Sequence, residues 1–305
     1  LNKITQNLLK LDKVSIHGLD IGNATCKNNN GIIFDSKITT VEPMTKTNKM
    51  IIDNKTYYLG EGAFDTTYRK IDKVNYINFV YGLLALSTNT VHNCVALGLP
   101  LGQFKEDRNA LINLIMSNNN KIVRMNEFIE KPLIIDDVEI FPEGVSTLKD
   151  DEEFIIIDIG GLTTDTALVI NERGKRKIIN PISIPTGTIN LYTDFINNIN
   201  SKYSLNLKID DAERILKKGL TLDGNKVNVD FALEMYQEYS NSLISQLQLN
   251  YNIRTNPISL TGGGATILHT QLKNRLGNSL ILQDDSIFAN ARNFYELGLS
   301  VFGEE

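Results

Sequence analysis

The sequence predicts an α/β chain built from two related halves. Three observations carry that expectation. Apolar strand-like runs alternate with helix-length segments along the 305 residues, the pattern of layered α/β folds. The pattern restarts near residue 151, after the acidic stretch Asp150-Asp151-Glu152-Glu153. Each half also opens with the same grammar: an apolar run, an Asp, one Ile, a Gly and then small residues, at Asp20-Ile21-Gly22 and again at Asp158-Ile159-Gly160.

The elements follow in order. Val14–Leu19 reads as a buried strand that stops at Asp20. Gly31–Thr40 and Lys49–Tyr58 read as further strands on either side of a turn-rich segment. Tyr76–Thr88 is apolar on nearly every face, as a buried helix is. Cys94–Leu99 is a strand ending at Gly98-Leu99-Pro100, and Asp107–Asn118 is helical. Lys121–Glu127 and Leu133–Pro142 read as strands, and Gly144–Leu148 as a short helix. In the second half Glu153–Ile157, Ala167–Ile170 and Lys177–Ile184 are strands. Ile189–Tyr203, Asp210–Lys218 and the long Val229–Asn250 are helices. Ile258–Thr261 is a strand running into Gly262-Gly263-Gly264, and Ala289–Val301 is the closing helix.

Composition narrows the function classes. The chain is 42% hydrophobic and 22% charged, enough to bury a core and too apolar for a disordered chain. A net charge of −5 argues against nucleic-acid binding by the charge of the whole chain. Two cysteines, Cys26 and Cys94, rule out a disulfide scaffold and any all-cysteine metal cluster. His17, His92 and His269 are scattered without metal-ligand spacing. Apolar runs such as Phe79–Leu86 fall short of the roughly 20 residues that span a bilayer. Leu1-Asn2-Lys3-Ile4-Thr5 has no signal-peptide core, although the chain also lacks a starting Met. The expectation is a soluble protein of the cytoplasm.

The first chemical motif is Asp20-Ile21-Gly22-Asn23-Ala24-Thr25-Cys26-Lys27. Gly22 permits a tight reversal, and the backbone N–H groups of such a turn can converge on a phosphate. Lys27 adds a point charge that can reach the same anion. Alone, the segment also fits an ordinary hairpin with an exposed Lys. The second motif, Asp158-Ile159-Gly160-Gly161-Leu162-Thr163-Thr164-Asp165, repeats it. Carboxylates repel a polyphosphate unless a divalent cation intervenes, so Asp20 and Asp158 predict Mg²⁺, held through water because that ion dehydrates reluctantly. The third is Leu260-Thr261-Gly262-Gly263-Gly264-Ala265, where three glycines admit a flat ligand close to the backbone at a helix start. Cys26, in the first loop, is either a reactive thiol lowered by Lys27 or a small core residue.

Two Asp-Gly hairpins followed by a Gly-Gly-Gly-Ala junction resemble the actin, Hsp70 and sugar-kinase superfamily. Further stretches resemble its bacterial plasmid-segregation branch, the ParM/StbA type: Leu97-Gly98-Leu99-Pro100-Leu101, Phe141-Pro142-Glu143-Gly144, Ile184–Leu191 with Gly187, and Phe288-Ala289-Asn290-Ala291-Arg292-Asn293-Phe294. The resemblance runs from about residue 14 to 300. It implies an actin-like, duplicated ribonuclease H-like ATPase fold whose two domains flank a nucleotide cleft. Domain I would be residues 1–150 with the closing helix at about 289–305, and domain II residues 151–288.

The same resemblance implies roles. Gly22, Asn23, Ala24, Thr25 and Lys27 would hold one side of the phosphates, and Gly160, Gly161, Leu162 and Thr163 the other. Asp158 would sit near the metal, and Glu143 would position the attacking water, a task a carboxylate can perform. Gly187 and Gly262, Gly263, Gly264 and Ala265 would line the nucleoside pocket. Glu213 and Lys217 would reach the ribose or adenine, unless they form an i,i+4 surface pair. Asn23 and Ala24 stand where relatives often carry Gly, Ser or Thr, and Thr39–Lys49 leaves little room for an accessory subdomain. The implied activity is hydrolysis of ATP, or GTP, coupled to head-to-tail filaments. Such filaments segregate plasmid DNA through a DNA-binding adaptor, with no direct nucleic-acid or membrane contact. A small-molecule kinase of the same superfamily and a non-polymerising Hsp70-like regulatory ATPase are the alternatives.

Overall fold

The computed structural model describes residues 10–128, 130–145 and 152–303. They form two compact units, divided after Lys149 and again before Ile287. In chain order, the first carries β1 (Lys10–Ile21), β2 (Thr25–Asn28), β3 (Ile33–Asp35), β4 (Lys37–Thr39), β5 (Asn48–Ile52), β6 (Lys55–Phe64), α1 (Tyr76–Ser87), β7 (Thr90–Leu99), α2 (Leu101–Met116), β8 (Asn120–Met125) and β9 (Lys131–Pro142). The second carries β10 (Phe154–Ile159), β11 (Thr164–Glu172), β12 (Lys175–Ile184), α3 (Thr188–Tyr203), α4 (Ala212–Lys218), β13 (Leu220–Leu222), β14 (Asn225–Val227), α5 (Asp230–Asn250), β15 (Ile258–Thr261), α6 (Ala265–Leu276) and β16 (Leu280–Leu282). Helix α7 (Ala289–Phe302) returns to the first unit.

The two sheets share a topology. The second is ordered β12-β11-β10-β15-β16. The first contains the equivalent run β3-β2-β1-β7-β9 and extends it with β8-β5-β6-β4. In each, the opening strand is antiparallel to the next strand and parallel to the fourth of the run.

Side-chain alternation along β1 and β7 explains how both faces of the first sheet are covered. Leu19, Ile21, Val95, Leu97 and Leu99 join Phe79, Val80, Leu83 and Leu84 of α1 in one core. The intervening positions face α7: Ile16 and Ala96 lie against Gly298, and Gly98 against the Phe294 ring. In the second unit Ile155, Ile157 and Ile159 alternate onto a core with Phe195 and Ile199 of α3, Tyr236 and Leu247 of α5 and Leu268 of α6.

Several expected elements differ. Gly31–Thr40 is not one strand. It breaks at Ser36, which donates its N–H to the Ala24 carbonyl (2.9 Å) and its hydroxyl to the Gly22 carbonyl (2.6 Å). Lys49–Tyr58 is a hairpin, because Asp53 and Asn54 adopt φ of 49° and 61°, the two-residue turn that suits strand twist. The helix expected from Asp107 begins at Leu101, immediately after Pro100. Asp210–Lys218 opens as a 3-10 turn, Ile209–Asp211, before α4. The short strands β2, β13, β14 and β16 were not expected. Of the expected Gly144–Leu148 helix, the part past Val145 lies outside the described residues. Among the described residues no helix is long and apolar enough to cross a membrane.

A buried histidine makes the fold acid-sensitive. His17 on β1 places Nε2 3.1 Å from Asn93 Oδ1, while Nδ1 is buried without a hydrogen-bond partner. Burial pushes its pKa down to about 4, against a smaller rise from the Asn93 hydrogen bond. The unfolded chain therefore binds a proton that the folded chain refuses between pH of about 6.5 and 4. Stability from this group is complete above that window and falls as pH drops through it, by about 3 kcal/mol. Urea midpoints measured from pH 7 to 4 check this, with His17→Gln expected to flatten the acid limb.

Candidate functional site

Each unit carries one candidate hairpin. In the first unit, register pairs Ile21 with Cys26 and Asp20 with Lys27, leaving Gly22–Thr25 as the loop. In the second it pairs Ile159 with Thr164 and Asp158 with Asp165, leaving Gly160–Thr163. The closing bond is the same in both: Gly22 N–H to the Thr25 carbonyl at 3.1 Å, and Gly160 N–H to the Thr163 carbonyl at 2.8 Å. The repeated sequence grammar is thus a repeated turn, matched residue for residue.

The electrostatics of the two hairpins differ. Opposite Asp20 stands Lys27, whose ammonium lies 2.8 Å from the Asp20 carboxylate, both nearly buried. Each charge is engaged by the other, which qualifies the expectations that Asp20 approaches a metal and Lys27 an anion. Opposite Asp158 stands Asp165, with the Thr163 hydroxyl donating to Asp165 Oδ2 at 3.2 Å. Facing residues on antiparallel strands share one side of the sheet, so this hairpin gathers two carboxylates.

Around the first hairpin, Asn23 is buried and its side-chain oxygen has no hydrogen-bond partner. Cys26 is fully buried, with Sγ 3.2 Å from the Ser36 hydroxyl. Burial pushes its thiol up to about 12. It is the small core residue, not the reactive thiol. Cys94 is buried too. Both thiols are expected to resist a disulfide reagent in the native chain and to react fully once urea unfolds it; fast native labelling of Cys26 would contradict the burial.

Glu143, at the end of β9, is fixed by its N–H to the Leu99 carbonyl (2.9 Å) and by an ion pair with Lys70. Lys70 sits on a 3-10 turn, Lys70–Asp72, and also donates to the Gly98 carbonyl at 3.2 Å. Burial acts to lower its pKa, but the Glu143 charge, with a contribution from Asp20, raises it above the ordinary lysine range. Sequence reasoning missed Lys70 because Tyr68-Arg69-Lys70-Ile71-Asp72-Lys73 looks like a solvated turn.

Around the second hairpin the glycine segments converge. The N–H groups of Thr188 and Ile189, at the start of α3, donate to the Gly160 and Gly161 carbonyls at 3.0 and 2.9 Å. A β-carbon on Gly187 would fall 2.5 Å from the Gly161 carbonyl carbon. Gly262 has φ of +91°, and a β-carbon there would meet Asp158 Oδ1 at 2.3 Å. Gly264 donates to the Ile159 carbonyl at 2.9 Å. Gly263 is exposed with open space before it, and Ala265 is buried at the head of α6. Tyr239 of α5 ties its hydroxyl to Thr164 at 2.6 Å. Glu213 and Lys217 pair with each other at 3.1 Å on the surface of α4, the i,i+4 alternative, while the Tyr192 hydroxyl of α3 donates to Glu213 at 3.3 Å.

The donors suit a hard cation. Beside Asp158 and Asp165, Thr261 stands at the Cα register of Asp158 on β15, and its hydroxyl is buried without a hydrogen-bond partner. Mg²⁺ prefers oxygen, takes one or two carboxylates and completes its shell with water and phosphate. Among the described residues no group of three or more His, Cys, Asp or Glu side chains could hold a metal by itself.

The fold and these paired hairpins define a class, and comparison with known proteins agrees. Residues 18–145 match the family model of the actin-like proteins' N-terminal domain, and residues 156–274 that of the archaeal MreB-like actin homologues' C-terminal domain. The chain belongs to the actin-like proteins. Its fold is similar to a ParM of a 15-stranded filament from Clostridium botulinum, at TM-score 0.74 and 20% identity over 93% of this chain and 99% of that one. It is similar as well to the archaeal actin homologue Ta0583 in complex with ADP, at TM-score 0.76 and 18% identity over 92% and 98%. The ParM protein of psk41 gives TM-score 0.66 and 21% identity over 95% and 98%. No curated protein matches significantly by sequence.

Proposed function

We propose that this chain is a nucleotide-dependent polymerising ATPase that assembles with copies of itself and moves plasmid DNA in the cytoplasm through a DNA-binding adaptor. The observation that carries the reading is the pair of hairpins with matching register and closing bond, each opening an equivalent five-strand run. The ADP complex of one structural neighbour and the filament of another support it.

In this reading the Gly22–Thr25 and Gly160–Thr163 loops bind the phosphates through backbone N–H groups. Gly187 and Gly262–Ala265 line the nucleoside pocket. Mg²⁺ when bound would neutralise phosphate charge, and Asp158 would hold it, with Asp165 across the hairpin. Asp20 contributes with its charge already offset by Lys27. Glu143 orients a water by accepting its hydrogen bond. Loss of the terminal phosphate then weakens the contacts that favour assembly.

Sedimentation and light scattering with Mg-ATP, Mg-GTP and slowly hydrolysed analogues, alongside phosphate release, test the proposal. Nucleotide-dependent pelleting with filaments in electron micrographs is expected. Monomers at high concentration with every nucleotide overturn assembly. Phosphate transfer to a metabolite faster than to water would favour the kinase alternative.

A further inference from the structure

We infer that Lys70 is a positioning residue for hydrolysis, holding the Glu143 carboxylate in the orientation from which it directs water. The inference rests on the role proposed above for Glu143. The Glu143 side chain is constrained at each level. Its backbone N–H is bound to the Leu99 carbonyl. Its stem passes over Gly98, where an added β-carbon would fall 2.9 Å from Glu143 Cγ. Its Oε1 accepts a hydrogen bond from the Lys70 ammonium, which donates another to the Gly98 carbonyl.

The support beneath Lys70 is equally specific. Gln103 Oε1 accepts the Lys70 backbone N–H at 3.0 Å, and Gln103 Nε2 donates to the Tyr68 carbonyl at 3.0 Å. One helical turn further along α2, buried Asp107 binds the Arg69 guanidinium with both carboxylate oxygens. Two side chains of α2 thus clamp the turn that presents Lys70. A stability role alone does not require this arrangement, since buried ion pairs are often replaceable by apolar residues without loss. The accessible end of the pair also points to function. Lys70 is 1% exposed and the Glu143 side chain 12%, so of the two only Glu143 reaches the surface. The adjacent ammonium stabilises the ionised carboxylate. Glu143 therefore acts by accepting a hydrogen bond from water, and the Lys70 proton stays where it is.

The test is steady-state hydrolysis of Mg-ATP by the full chain, as wild type, Lys70→Met, Lys70→Arg, Glu143→Gln and Lys70→Met/Glu143→Gln. Lys70→Met should lower kcat roughly 10- to 100-fold, the scale of a misplaced catalytic group, with KM within about threefold of wild type. Lys70→Arg should restore part of the loss. In the Glu143→Gln background, Lys70→Met should change kcat less than about twofold, because residues acting as a unit are not additive. The inference is overturned if Lys70→Met keeps the wild-type kcat, or if it costs the same factor in both backgrounds. Should Lys70→Met fail to fold by circular dichroism, Lys70→Arg and the double variant, which removes both charges, decide in its place. A wild-type rate for Glu143→Gln overturns the Glu143 reading and this inference with it; a slow Glu143→Gln beside an unaffected Lys70→Met overturns this inference alone.

Discussion

Glu143→Gln is expected to slow nucleotide hydrolysis by about two to four orders of magnitude and to leave nucleotide affinity nearly unchanged. Gln keeps the shape and can still accept the Lys70 hydrogen bond through its amide oxygen, so the pair's geometry survives while the charge is lost. Alanine is the poorer choice. It would leave the Lys70 ammonium buried beside the Gly98 carbonyl without its carboxylate, and breaking a buried ion pair costs roughly 3–5 kcal/mol. A slow Glu143→Ala would then mix lost chemistry with lost structure. Phosphate release and equilibrium nucleotide binding, measured on the same preparation, separate the two effects. Assemblies of the Gln variant should persist longer once formed. Hydrolysis at the wild-type rate would remove Glu143 from the reaction.

The second large effect is expected at Gly262. Alanine there must adopt φ near +91° and set its β-carbon within 2.3 Å of Asp158 Oδ1 and 2.5 Å of the Ile159 carbonyl oxygen. Backbone atoms of the central strand cannot withdraw as a flexible side chain can. Strain and overpacking together should cost roughly 2–5 kcal/mol, seen as a lower urea midpoint with an unchanged slope. Gly263→Ala is the matched control, because a β-carbon at that position has nothing within 4 Å. Its effect on stability should stay within about 0.5 kcal/mol, while nucleotide affinity falls if the loop faces the nucleoside. Equal midpoints for the two variants would show that the close approach at Gly262 carries no energetic weight.

Much of this arrangement was legible in the residue order. Asp20-Ile21-Gly22 and Asp158-Ile159-Gly160 announce their turns because an apolar strand stopping at Asp-x-Gly has few other conformations open to it. Tyr76–Ser87 and the long helix ending at Asn250 are legible for a similar reason, since long patterns leave little ambiguity. Short strands failed for want of length: β2 and β16 have too few residues to show a period. The broken strand at Ser36 failed because its cause is distant in sequence, a hydroxyl and an N–H reaching back to the Gly22 and Ala24 carbonyls. Lys70 failed for the same reason. Its partner Glu143 lies 73 residues away, and a lysine between Arg69 and Asp72 carries no mark of burial. Pairings set by tertiary contact, such as Gln103 with the Lys70 backbone, leave no local trace.

A doubled architecture need not treat its copies alike. Where Asp20 faces Lys27 the first hairpin has brought its own counter-ion. Where Asp158 faces Asp165 the second places two carboxylates in register. Transplanting one octapeptide into the other's place would preserve the bend and exchange a lysine for a carboxylate, so a single cross-strand position sets the charge that each copy presents.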